Sequence, residues 1–398
     1  MVDPGESAAA SRSISLFVHV PFCRQKCAYC RLYGVSGRED DFDPFLRALT
    51  YEWEIVRREE ELKGQRLVSL QVSGGTPSML GGDRLVRLLE IVRVGVQPDP
   101  NCEITLEGYP DSIDRRLVET VLHAGYTRIN VGVHSFQDAE LAALDRGYRT
   151  EQVQRALTEV REAGCANLGV DLVHGIPGQT QAAWESSLEA TLRFGCEHIA
   201  CRPLTPQEET LEEHLLHGRF EESVLEESLY HQARAAERIL EGAGYEQYQV
   251  SQFARPGFRC RHEERALRRE PSYGLGPGAH SFDGAERWRN APDLDAYIAQ
   301  MLEGARRPAR ARYRLSEIHH AQETLLLGLR RAGGFRWTEI APHIGTTVLQ
   351  RLQRRASVLA AQGFLETTRE ETRLAPPARF VSHSIALELM RALEPEAA

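Results

Sequence analysis

Residues 14–253 predict an α/β fold of parallel strands joined by crossover helices, with a small helical domain after it. Three observations carry this. Between residues 15 and 204, short β-rich runs alternate with helical spacing six times, an order that builds parallel strands with right-handed crossovers. Three strand ends carry glycine turns, SGGTP, LEGYP and HGIPG, at the edge where such sheets hold ligands. From about residue 315 the pattern changes to short leucine-rich helices.

The elements follow in order. SLFVHV (15–20) reads as a strand that stops at Pro21, and a cysteine-bearing loop runs on to about residue 40. Phe45, Leu46, Leu49, Trp53 and Val56 share one face of a helix over 43–62. VSLQV (68–72), CEITLE (102–107), RINVGV (128–133), LGVDLV (168–173) and HIACRPL (198–204) read as the next strands. Helices near 83–95, 113–124, 151–163 and 181–194 separate them. Residues 205–245 are acidic and helical, and EQYQVSQF (246–253) reads as one more strand. The stretch 254–292, rich in Gly, Pro and Arg, reads as an irregular cap, and RRPARAR as a linker. The domain limits are thus a disordered leader (1–13), the α/β unit (14–253), cap and linker (254–310), and a winged-helix-like C-terminal domain (311–398) with a wing at 364–374. Spacing alone leaves an incomplete barrel and a doubly wound sheet both open.

The net charge of −9 over 398 residues argues against a duplex nucleic-acid binder. No window of 18 apolar residues would span a bilayer, and the first residues lack the apolar stretch of a signal peptide. A cytoplasmic protein is expected, and the cysteine usage agrees: of eight cysteines, three sit within PFCRQKCAYC and the rest are scattered.

Cys23, Cys27 and Cys30 form a C-x3-C-x2-C pattern on one loop. Thiolates are soft donors that suit iron–sulfur clusters, and three of them hold three corners of a cubane. The fourth iron then lacks a side-chain ligand and is open to the amine and carboxylate of a small molecule. The alternative is a structural zinc with a fourth ligand such as His19 or Cys102, although zinc motifs usually pair cysteines twice.

The loop after the first strand resembles the signature of the radical S-adenosylmethionine (SAM) superfamily. The fragments VHVPFCRQKCAYC, SGGTPSML, ITLEGYP, RINVGVHSFQDAELAALDRG, GVDLVHGIPGQT, FARPGF and YGLGPGAHSF are similar, in the same order, to the coproporphyrinogen dehydrogenase group. The resemblance implies an incomplete (β/α)6 barrel, a 4Fe–4S cluster on the three cysteines, and SAM as cofactor. It implies that Gly74, Gly75 and Thr76 bond the methionine amino group and that Arg146 faces its carboxylate. It places Glu107 on ribose hydroxyls or the ammonium, Asp171 on ribose or a second nucleotide, and Tyr29 near the adenine. Phe17 stands where a tyrosine is usual before the cysteine loop. From the residues alone, Asp171 is also open to a structural ion pair, with Arg128 as the candidate partner.

The departures from the group bear on function. His134 replaces a glutamine in GVHSF, and Arg202 replaces an aromatic in ACRPLT. The heme-chaperone branch carries a His-Asn-x-x-Tyr-Trp stretch, where this chain has His262-Glu263-Glu264-Arg265-Ala266-Leu267. The expectation is therefore a class C radical methylase or cyclopropanase that uses two SAM molecules. One would yield a 5′-deoxyadenosyl radical, and the other would deliver a methyl or methylene group to an sp2 carbon of a small-molecule substrate. His134 is the candidate base and Arg202 the candidate contact to an anionic substrate group. A flavodoxin- or ferredoxin-like donor would supply the electron. A heme chaperone or a porphyrin-directed radical enzyme are the alternatives.

Overall fold

The computed structural model describes residues 13–27, 29–30, 32–59, 62–204, 222–304 and 310–394. All but the last residue of the expected leader, and the stretch 205–221, lie outside them. Six parallel strands form the centre: β1 (Ser13–Val20), then, after the short β2 (Phe22–Cys23) and β3 (Val35–Ser36), β4 (Arg66–Gly74), β5 (Gln97–Gly108), β6 (Arg128–His134), β7 (Leu168–His174) and β8 (His198–Pro203). They are hydrogen-bonded in the order β1-β4-β5-β6-β7-β8, all parallel. The crossovers carry α1 (Phe42–Val56), α2 (Gly82–Arg93), α3 (Arg115–Ala124), α4 (Asp138–Ala143), α5 (Thr150–Glu162) and α6 (Gln181–Arg193). The sheet does not close on itself, so the expected six-fold β/α unit is present as an open one.

Strand periodicity sorts the two faces. Leu16, Val18, Leu70, Val72, Ile104, Leu106, Ile129, Val131, Val170 and Leu172 are almost fully buried in the main core. The alternate positions on the inner face are polar: Ser15, Ser69, Gln71, Ser73, Glu103, Thr105, Glu107, Asn130, His134 and Asp171. Such a sheet builds its core on one side and a polar lumen on the other.

The stretch read as an irregular cap is ordered sheet and helix. β9 (Glu246–Gln249) and β10 (Gln252–Ala254) form an antiparallel hairpin on β8 instead of one strand. β11 (Ser272–Leu275) runs parallel to β1, and β12 (His280–Phe282), β13 (Glu286–Asn290) and β14 (Arg310–Arg314) extend that edge. Among the described residues the main sheet thus has twelve strands. The strands here have three to five residues, too short for periodicity to show, and backbone pairing at the sheet edge sets their conformation. Between the hairpin and β11, the helix Arg261–Leu267 crosses the inner face: Arg265 bonds Ser13 and Ser15, and the Arg261 amide bonds Glu103. The C-terminal region has its own core around Leu325, Phe335, Trp337, Leu352 and Leu389. Its three-stranded sheet contains the expected wing as β16 (Leu365–Thr367) and β17 (Glu371–Leu374), which also pairs β15 (Phe335–Arg336). Among the described residues, no helix is long and apolar enough to cross a membrane.

Candidate active site

The site lies at the carboxyl ends of β1 and β4–β8. Cys23 ends β2, and Cys27 and Cys30 follow on the loop, all three partly exposed and free of disulfides. The Gly74–Thr76 turn is laced to this loop: the Gly75 amide donates to the Val20 carbonyl at 2.8 Å and the Thr76 amide to Phe22 at 2.6 Å. A Cβ on Gly75 would overlap the Phe22 carbonyl oxygen and stand 2.8 Å from Cys23 Sγ. Glycine is therefore required by close approach at this turn. With those amides engaged, carbonyl oxygen is what the turn offers an ammonium.

The donor set fits the cluster. Three thiols share one loop, and neither alternative fourth ligand joins them: His19 Nε2 bonds the Tyr33 carbonyl at 2.8 Å, and Cys102 lies on the first half of β5. Among the described residues no three His, Cys, Asp or Glu side chains converge on a single ion. A cubane offers each thiolate its own iron, so a spread triad suits it. Burial pushes the Cys23 thiol up to about 11, with the neighbouring Cys30 and Cys27 adding to the shift.

Arg146 is the centre of the polar pocket beside the loop. Its guanidinium lies 4.7 Å from the Tyr109 ring centroid, 5.6 Å from Tyr29 and 5.9 Å from Tyr148. Nη2 donates to the Tyr29 hydroxyl at 2.5 Å and to His134 Nε2 at 2.9 Å, while Nε is buried without a partner. This leaves one buried guanidinium N–H unsatisfied inside an aromatic cage, hydrogen-bonding capacity of the kind that an oxygen anion meets.

His134 takes a left-handed backbone (φ 65°) at an irregularity in the β6–β7 register, the type of kink that re-aims a side chain. The Tyr148 hydroxyl donates to the Gly132 carbonyl at 2.8 Å and receives His134 Nδ1–H at 2.7 Å. The Nε2 lone pair is then the one that accepts from Arg146. Burial, and after it the charges of Arg146 and Arg202, hold this imidazole well below its ordinary pKa. A ring placed so holds Arg146; to take a proton from a substrate it would first have to lose that bond.

Glu107 accepts from Gln71 Nε2 at 2.7 Å and Ser73 Oγ at 2.5 Å. Burial raises it to about 7, and the charge of Asp171 adds to the rise. Asp171 pairs with Arg202 (3.7 Å) rather than with Arg128, which bonds Asn167 and the Phe258 carbonyl. Arg202 also lies 3.9 Å from Glu263 and keeps a half-exposed side chain. Phe17 lies on the inner face between His19 and His262, its ring centroid 6.2 and 6.0 Å from theirs. Gln71 Oε1 and Thr105 Oγ1 on the same face are buried and unpaired. The lumen thus keeps unmet hydrogen-bonding capacity, as a nucleotide receptor would.

Sequence reasoning names neither Tyr109 nor Tyr148 as site residues. Tyr109 stands in the quoted motif LEGYP, and Tyr148 directly follows the quoted run that ends in ALDRG. Tyr109 stacks on His134 at 5.5 Å because Gly132 leaves room; a Cβ there would overlap the tyrosine ring.

The model of the radical SAM superfamily matches residues 17–191. The heme chaperone HemW of Mycobacterium tuberculosis is 32% identical over 340 residues, 83% of this chain and 85% of its own length. HemW of Synechocystis is 30% identical over 93% of this chain and 90% of its own length. The chain belongs to the radical SAM superfamily, whose cofactors are a 4Fe–4S cluster and SAM. Within it, the chain falls in the HemN/HemW-like group. The solved structure of Escherichia coli coproporphyrinogen III oxidase (HemN) shares the fold, with a TM-score of 0.80 at 21% identity, over 95% of this chain and 90% of that one. These relatives carry the name of the heme chaperone or the oxidase, not of a methylase or cyclopropanase.

Proposed function

We propose that this chain is a cluster-carrying, SAM-binding protein of the HemW type, with heme as cargo. The observation that carries the reading is the extent of the resemblance: 340 aligned residues reach well beyond the superfamily segment that ends at residue 191. When bound, the cluster supplies the electron, drawn from an external flavodoxin- or ferredoxin-like donor, that cleaves SAM reductively. Cys23, Cys27 and Cys30 would hold it. Gly74, Gly75 and Thr76 would offer carbonyls to the methionine ammonium, and Arg146 would grip the carboxylate, held in place by His134, Tyr29 and Tyr148. Glu107 and Asp171 would accept from ribose hydroxyls, and Tyr29 and Phe17 would flank the nucleotide.

A specific observation favours a second reading, the radical methylase or cyclopropanase acting on a small molecule with a second SAM. His262 is turned into the inner face, 3.2 Å from Ser69 Oγ and beside Phe17, and ERALRRE around it supplies charges where a porphyrin needs apolar walls. The test is a hemin titration of the anaerobically reconstituted protein, run beside product analysis with a reductant. Tight hemin binding with a shifted Soret band supports the first reading. Stoichiometric 5′-deoxyadenosine and S-adenosylhomocysteine without hemin binding replaces it with the second.

A further inference from the structure

Apart from the lumen, the structure holds a cavity of about 540 Å³ at the seam between the sheet and the C-terminal region. Its walls come from the end of β8 (Pro203), the helix Glu222–Gly242 (Glu237), the β9–β10 hairpin (Val250, Phe253) and the C-terminal region (Arg330, Arg379, Phe380). The size falls in the range of small-molecule sites, about 300–1,000 Å³.

Its charge is unusual. Arg330 and Arg379 both line it, and each has a buried Nε without a hydrogen-bond partner. Arg379 reaches Gln247 through a terminal nitrogen. Among the described residues Arg330 has no ion-pair partner within bonding distance; the charges acting on it are Glu263, which favours its cation, and Arg202, which opposes it. Glu237 is the one carboxylate among the described lining residues; it is bound to Arg234 and also feels the charge of Arg379. An unpaired buried donor is costly in a folded protein. Two guanidinium forks facing one cavity suit two carboxylates, which they bond with directional N–H pairs. Phe253, Phe380 and Val250 offer an apolar wall between them.

We propose that this seam cavity binds the carboxylate-bearing edge of a tetrapyrrole, with Arg330 and Arg379 each docking one propionate. The choice of tetrapyrrole rests on the heme reading above; the two-carboxylate, apolar-bodied chemistry rests on the cavity itself. Glu263 lies 3.9 Å from Arg202, and its charge also favours the Arg330 cation.

The test uses the full reconstituted chain and two probes, hemin and its dimethyl ester, followed by Soret absorbance. The parent is expected to bind the diacid at least tenfold more tightly than the diester. Arg330→Gln and Arg379→Gln should each weaken diacid binding about tenfold, the loss of one charge-assisted contact. The double variant should bind acid and ester alike. Thermal melts and ester binding check that the variants are folded. Hemin binding that keeps its acid preference in the double variant overturns the site and leaves the heme reading intact. An absence of hemin binding in the parent overturns both.

Discussion

Arg146 Nη2 lies 2.9 Å from His134 Nε2, and this bond determines what each residue can do. It occupies the lone pair that a base would need, and it fixes the guanidinium against Tyr29 and Tyr109. His134→Gln keeps an acceptor near Nε2, so 5′-deoxyadenosine formation should persist. His134→Ala removes it, and SAM affinity should fall about tenfold, the scale of one hydrogen bond to a charged group. Equilibrium SAM binding and single-turnover product formation check this. A Gln variant that binds SAM and forms 5′-deoxyadenosine normally but yields no alkylated substrate would return His134 to the role of base.

Glu107 sits at about 7 because burial and the Asp171 charge disfavour its ionised form. A cationic ligand whose ribose hydroxyls donate to it favours the carboxylate, so binding releases a proton. SAM affinity should rise as pH increases toward about 7 and level off above it. In Glu107→Gln the affinity should be lower and nearly independent of pH over that window. Calorimetry in buffers of different ionisation enthalpy reads the released proton directly; no proton release would contradict the assignment.

Gly75→Ala should impair cluster loading, because the added methyl meets Phe22 and Cys23 Sγ. Iron and sulfide per chain should fall below half of the parent value. Gly333→Ala, where nothing lies within 4 Å of the added methyl, should load like the parent.

Glu52 is a buried carboxylate that receives Gly276 N–H (2.7 Å), Tyr297 O–H (2.8 Å) and Asn290 Nδ2 (2.7 Å). It ties α1 to the glycine turn beneath β1. Glu52→Gln puts an amide NH2 against one of these donors and should cost about 1–3 kcal/mol. Burial raises the parent group to about 7 despite the three bonds. The folded pKa exceeds the unfolded one, so this group's contribution is full below about 4.5 and declines as pH rises to about 7. The stability gap between parent and variant should therefore narrow from pH 5 to pH 7.5 in denaturant melts; a widening gap would contradict this.

Much of the fold was legible because the crossovers are regular. VSLQV reads as a strand from its composition, and its period-2 alternation further separates Leu70 and Val72, which face the core, from Ser69, Gln71 and Ser73, which face the lumen. The cysteine loop was legible from spacing alone. The cage around Arg146 was not, since Tyr109 reaches it only through the space left by Gly132 on a neighbouring strand. The Asp171–Arg202 pair was hidden for a similar reason. The β7–β8 register sets Asp171 opposite Ala200, so Arg202, two residues further along β8, is its diagonal neighbour; sequence distance favoured neither Arg202 nor Arg128. α4 has six residues, too few for a helical stripe to stand out.

The central claim is that three thiols hold a cubane with one iron free for the amino-acid end of SAM. Electron paramagnetic resonance of the anaerobically reconstituted, reduced protein tests it most directly. About four iron and four sulfide per chain are expected, with a reduced-cluster signal whose g-values shift when SAM is added. Zinc in place of iron, or a cluster signal indifferent to SAM, would contradict it.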